Sequence, residues 1–356
     1  MDSTPVTARS LERPYHINGD NFERAFREQL SDFPKWVKPG QEGEHAEDWI
    51  IHPNNFTENM AIDETALSKD DLRTFITNKS AHAKKGTIAV MVKGTNATEI
   101  TEYILCHSTQ EQRDKVKEIT MDFSESMHNI AQKCFPNATI TIDLFHLMQL
   151  CTNDLQDIRV RLKRKATAQD AKARKAWKNR CEKNASRRKT TKKDQRGRLP
   201  RRKNAAYIPP KLANGETAID LLTRSRYLLN YTRNEWSNRQ KERAKLLFEH
   251  YPVMETAYEL VMKIRNIFKN KKHTKEAART ALREWCKEAL AANIDEFVAT
   301  VQTIQAREDE VLNYFVNRQT NAYAESFNAK IKNFRALLRG INDTKFFLYR
   351  VSRLFG

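Results

Sequence analysis

The hydrophobic periodicity of the chain changes character near residue 147, and that change limits the folds open to it. Between 57 and 146 the runs read as strands: NMAIDETA (59–66), LRTFITN (72–78), GTIAVMVKG (86–94), EITMDF (118–123) and ATITIDLF (138–145). The third and the last are rich in Val, Ile and Thr, which suit a pleated, half-buried surface. Helical patterns fall between them at 96–107 and 124–135. Strand, strand, strand, helix, strand, helix, strand predicts three antiparallel strands leading into alternating units, and so a mixed sheet flanked by helices. From 147 to 318 strand patterns vanish. Helices are expected there at 216–231, 236–249, 253–269, 274–292 and 294–316. Residues 1–56 are polar, carry Pro5, Pro14, Pro34, Pro39 and Pro53, and read as an arm with one short helix at 20–30.

The charge is concentrated in the helical part. Residues 159–203 hold 21 Lys and Arg against Asp170, Glu182 and Asp194, an excess equal to the whole net charge of +18. Such a block repels itself unless a polyanion neutralises it. Nucleic-acid phosphates are the expected partner, bound largely without regard to sequence. The alternative is a solvated insertion with no specific partner. Arg187, Arg188, Lys189, Lys192, Lys193, Arg201 and Arg202 are the densest candidates for DNA contact. The five cysteines (106, 134, 151, 181 and 286) are scattered, with no C-x-x-C pair. Neither a disulfide framework nor a zinc knuckle is readable, so a reducing cytoplasm, close to the nucleoid, is expected. No run approaches the roughly 18 apolar residues of a membrane span.

Residues 319–340 form the most informative helix. Asn321, Glu325, Asn328, Lys332, Arg335 and Arg339 share one face at 4-3-4-3-4 spacing. Phe327, Ile331, Phe334 and Leu338 share the opposite one. A carboxylate among cations faces outward, as on an ordinary amphipathic helix with a salt bridge or at a site for anionic substrate. Two further acids stand at strand ends: Asp63 after Ala61-Ile62, and Asp122 after Ile119-Thr120-Met121. Singly, such an Asp is more often a turn or helix cap. Together with Glu325 they would make an all-oxygen cage for hard divalent ions. Two such ions clamp the attacking and leaving oxygens of an in-line phosphoryl displacement. Asp143 ends the last strand, three residues before His146. The pair reads either as a helix cap with a half-buried neighbour or as an auxiliary part of that site.

Four stretches carry a resemblance: AIDETAL (61–67), ITMDFSESM (119–127), FPNATITIDLFHLMQL (135–150) and NRQTNAYAESFNAKIKNFRALLRGI (317–341). They resemble bacterial insertion-sequence transposases of the DDE class, most closely the ISL-three type. HYPVMETAYELVMKIRNIF (250–268) and ALREWC (281–286) resemble that family's helical insertion. The resemblance spans 57–356. It implies an α/β ribonuclease H-like core, a mixed five-stranded sheet flanked by helices, interrupted by a large all-α insertion. The expected boundaries are an arm at 1–56, the first part of the core at 57–150, the insertion at 151–318 and the helices completing the core at 319–356. Asp63, Asp122 and Glu325 match the family's metal-binding triad, and Asp143 with His146 matches its D-x-x-H element. The implied reaction is nicking of transposon ends by water, then attack of the freed 3′-hydroxyl on another phosphodiester, with two Mg²⁺ or Mn²⁺ ions per site. Lys332, Arg335 and Arg339 are expected to meet DNA, and a homo-oligomer is expected because two ends must be joined. Longer relatives carry a zinc-binding and helix-turn-helix segment before the core, so end recognition is expected to come either from a separately encoded helix-turn-helix protein or in part from the 159–203 block. Ala322-Tyr323 stands where the family commonly has Gly before the Ala-Glu pair. The competing readings are a catalytically silent transposase that only binds DNA, and a nuclease of the ribonuclease H type.

Overall fold

The computed structural model describes residues 1–189, 206–318, 322–338, 341 and 343–356, the side chains of 185–189 excepted. These residues form two compact units. One comprises Met1–Leu147, His273–Arg279 and Thr303–Gly356; the other comprises Met148–Lys272 and Thr280–Gln302.

The first unit is built on a mixed sheet of six strands rather than five. The strands are β1 (Trp49–Ile51), β2 (Asn59–Ser68), β3 (Asp71–Asn78), β4 (Ile88–Lys93), β5 (Glu118–Met121) and β6 (Thr139–Ile142). They lie in the order β1-β4-β3-β2-β5-β6. The β1–β4, β4–β3 and β3–β2 pairs are antiparallel, and β2–β5 and β5–β6 are parallel. The additional strand comes from the segment read as an arm. Its apolar residues are too few for a periodic signal, but Ile50 is fully buried and Trp49 pairs with Val92. Phe26, Trp36 and Ala46 from the same segment enter the core. A single buried guanidinium ties down the N-terminus: Arg350, 1% exposed, donates to the carbonyls of Met1 and Val6 and lies over the Phe334 ring.

The parallel strands are joined through helices, as parallel pairing requires. Helix α1 (Ala97–His107) follows β4, and α2 (Glu125–Cys134) connects β5 to β6. Asn96 and Ser124 cap them, each side chain accepting an amide of the first turn. Helix α3 (Leu144–Lys189) starts directly after β6 and carries the chain into the second unit.

The second unit is helical: α4 (Ala218–Arg224), α5 (Asn238–His250), α6 (Pro252–Lys269), α7 (Lys275–Ala291) and α8 (Asp295–Ala306), with the first turns of α7 and the last of α8 assigned to the first unit. Trp285 is fully buried, its indole donating to the Leu260 carbonyl at 2.8 Å. Two expected helices are broken. The 216–231 pattern yields α4 and then short turns, where the Trp236 indole donates to the Leu228 carbonyl. The 294–316 pattern stops at Arg307, whose backbone leaves the helical region while its guanidinium binds Glu125 and Glu310.

The first unit is completed by α9 (Ala322–Leu337) and α10 (Thr344–Phe355). Phe327, Ile331 and Phe334 are fully buried, as their spacing predicts. Phe327 meets Phe75 of β3 edge-on at 5.5 Å between centroids, and Phe334 stacks on Phe347 of α10. Asn321, Arg339 and Gly340, assigned to this helix from the sequence, lie outside the described residues.

Candidate active site

The register of the parallel strands sets the site. Ala61 of β2 pairs with Thr120 of β5, and Thr120 pairs with Thr141 of β6. Two residues further along each strand direction stand Asp63, Asp122 and Asp143. Asp63 lies in β2, while Asp122 and Asp143 are the first residues past β5 and β6, so the three aspartates stand at the same end of three neighbouring strands. The ladder continues to that level, for the Asp143 amide donates to the Met121 carbonyl at 2.7 Å. Strand spacing puts the outer two backbones roughly 10 Å apart.

Each aspartate is held by local bonds. Asp63 accepts the Glu64 amide at 2.8 Å on one oxygen and the Asn328 side-chain amide at 2.5 Å on the other. Asp122 accepts the Ser124 amide at 2.7 Å, which fixes its rotamer at the start of α2. Asp143 is 2% exposed and accepts the Phe145 amide at 3.3 Å in the first turn of α3, with His146 Nε2 at 3.9 Å from its other oxygen. Glu325 comes from α9, which packs on β2 through the Asn328–Asp63 bond and on β3 through the Phe327–Phe75 contact.

The electrostatics tie these groups together. Burial pushes the Asp63 carboxyl above the usual carboxylate range and the Asp122 charge adds to it, against the bonds from Glu64 and Asn328 and the field of His146. Glu325 is also raised, by partial covering first and then by the fields of Asp143 and Asp63, with His146 opposing. Asp63, Asp122, Asp143, His146 and Glu325 therefore occupy one electrostatic neighbourhood. Burial is the larger cause of both shifts and neighbouring carboxylates add to it; a hard divalent cation would relieve that second part. The donor chemistry fits such an ion. The geometry is open: among the described residues no three His, Cys, Asp or Glu side chains are gathered within reach of one metal ion. Glu325 is exposed on α9.

A family model for DDE-class transposases of the ISL-three type matches residues 60–351. The chain belongs to this transposase family. No curated protein and no solved structure matches it. The match runs from the first residues of β2 to α10 and so takes in all five site residues.

The remaining residues expected in this transposase from its sequence are distributed unevenly. Lys332 is exposed on α9 and Arg335 is half-buried. Arg187, Arg188 and Lys189 belong to α3, but their side chains lie outside the described set, as do Lys192, Lys193, Arg201, Arg202 and Arg339 altogether. Three groups were not legible as parts of the site. Asn328, placed by spacing on the outward face of α9, is 9% exposed and turned to Asp63. Ala324, Phe327 and Ile331 are buried around it, so the buried stripe is wider than the aromatic spacing alone. Glu64 is raised by burial and by Asp122 and Asp63. Lys79, directly after β3, is buried with its ammonium on Thr120. No spacing in the sequence singles out the last two. Among the described residues no helix is long and apolar enough to cross a membrane.

Proposed function

We propose that the chain is a DNA transposase whose reaction centre is Asp63, Asp122 and Glu325, with Asp143 and His146 beside them, on a ribonuclease H-like core. The row of aspartates at the same end of β2, β5 and β6, with the Glu325 helix laid on β2, carries this reading. Three antiparallel strands followed by two parallel ones joined through helices support the core assignment. The helical unit, inserted in sequence between β6 and α9, supports the all-α insertion.

Asp63, Asp122 and Glu325 would hold Mg²⁺ or Mn²⁺, two ions by family resemblance. When bound, such ions supply Lewis-acid stabilisation to the oxygens of an in-line phosphoryl displacement. The chain's own groups do the rest. The Glu64 amide and Asn328 fix the orientation of Asp63, and the Ser124 amide fixes that of Asp122. His146, half-exposed beside Asp143, offers a donor to a phosphate oxygen. Exposed Lys332 on the same helix as Glu325 and the lysines of α3 attract the polyanion. Water and then a 3′-hydroxyl serve as nucleophiles, so no side-chain nucleophile is required. DNA ends and target are the substrates. A second copy of the chain and a separate helix-turn-helix protein are the partners proposed for pairing and recognising the ends.

Incubation with labelled transposon-end DNA and Mg²⁺ or Mn²⁺ tests this. Nicks at the end junction and joined products are expected, and Asp122→Asn or Glu325→Gln should abolish both while DNA is still retained. Nicking without joining favours a nuclease. Retarded but uncut DNA favours a binding protein.

A further inference from the structure

Below the aspartate row, on the same face of the parallel strands, lie Ala61, Thr120 and Thr141, and below these Asn59, Glu118 and Thr139. Lys79 reaches into this face. It opens a short turn after β3, started by Asn78, whose side chain accepts the Ser80 amide. Strand β2 separates β3 from β5, yet the Lys79 ammonium bonds the Thr120 hydroxyl at 2.9 Å. At that level β2 carries Ala61, a single methyl, which leaves the lysine stem room to cross.

The environment is buried and acidic. Lys79 is 6% exposed, Thr120 0%, Thr141 2%, Glu118 5% and Asp143 2%. Glu118 is held by the Asn317 amide at 2.8 Å and by the Thr141 hydroxyl at 3.5 Å. The ammonium lies in the fields of Glu118 and Asp143. Burial lowers the proton affinity of Lys79, and those two carboxylates oppose the loss of its proton. A buried ammonium is costly unless negative charge compensates it. The buried Lys79 ammonium has both a hydroxyl acceptor in Thr120 and compensating carboxylates in Glu118 and Asp143.

We infer that Lys79 is the resident counter-cation of Glu118 and Asp143, a positioning residue that supports the Asp143 end of the row from beneath before a divalent ion or DNA arrives. Its charge lies one row, roughly 7 Å along the strand, below the aspartates. At that distance it stabilises the ion-free row and opposes a divalent cation entering from above. The inference rests on reading that row as the reaction centre.

Thermal unfolding in EDTA and then in MgCl₂ tests it, with the parent, Lys79→Met, Lys79→Gln, Asp143→Asn and the double variant Lys79→Met/Asp143→Asn. Asn at 143 keeps the acceptor for the Phe145 amide and removes the charge. In EDTA, Lys79→Met should melt at least roughly 3 °C below the parent. In the Asp143→Asn background the loss should be smaller, because one of the two charges it serves is gone while Glu118 remains. MgCl₂ should raise the melting temperature of Lys79→Met more than that of the parent, with the half-effect concentration lowered at least roughly threefold. Lys79→Gln, which retains a donor to Thr120 without the charge, should follow Lys79→Met and carries the same comparison if the methionine variant does not fold. Equal losses in the two backgrounds would overturn the inference. So would a parent that responds to Mg²⁺ beside a Lys79→Met that responds no more strongly. If the parent itself is indifferent to Mg²⁺, the metal reading of the row fails, and the coupling measured in EDTA still decides the role of Lys79.

Discussion

Asn328 shows how one side chain can link a helix to a reaction centre. Its amide spans from α9 to Asp63, and its own Oδ1 accepts no hydrogen bond among the described residues. That imbalance suits a residue kept for what it donates to. Asn328→Ala should lower the cleavage rate by about 10–100-fold, the usual cost of losing an orienting partner of a metal-binding carboxylate. DNA retention should be unchanged, since no cation is removed; a rate within about twofold of the parent would make Asn328 a packing residue. Asp154 tests burial in the second unit. It lies on α3 and is pushed up to about 7 by burial, with Asp157 and Glu296 adding to it and Thr300 opposing. In the unfolded chain it ionises near the ordinary carboxylate value. Between that value and about 7 the folded form holds the extra proton, so stability from this group falls as pH rises through the window. Asp154→Asn should stabilise the protein at pH 8 by about 1 kcal/mol, a figure reduced for its partial exposure. The gain should shrink toward pH 4 in urea titrations. A gain independent of pH would contradict the assignment.

Elements that repeat a pattern were legible; elements made by tertiary pairing were not. Strands β2, β3 and β4 and helices α1 and α2 fall within a few residues of the sequence reading, because alternation and capping are local. Strand β1 escaped it because three residues, Trp49–Ile51, give no period, and their strand state depends on pairing with β4. The acids of the site were legible as strand-end and helix-face positions, but their alignment across strands depends on register, which no single strand encodes. The N-terminal segment illustrates the same limit. Its Gly43 lies so close to Trp36 that an added Cβ would stand 2.1 Å from the indole. Gly43→Ala should destabilise the first unit by about 1–3 kcal/mol in denaturant titration. A destabilisation of less than a few tenths would mean that the segment is not packed as described.

At the scale of the whole molecule the dominant property is charge. The net charge of +18 lies in the stretch that begins on α3, a helix of 46 residues whose described outer turns expose Lys172, Lys175 and Lys178. Replacing these three by Gln should weaken DNA binding similarly for all sequences. It should also flatten the log–log salt dependence by about 0.9 for each phosphate that is no longer neutralised. An unchanged slope would make this part of the helix a bystander. The central claim, that Asp63, Asp122 and Glu325 jointly hold divalent cations, is tested most directly by calorimetric titration of Mn²⁺ into the parent, Asp63→Asn, Asp122→Asn and Glu325→Gln. Each substitution should weaken Mn²⁺ binding at least about tenfold. Parent-like affinity in all three would contradict the account.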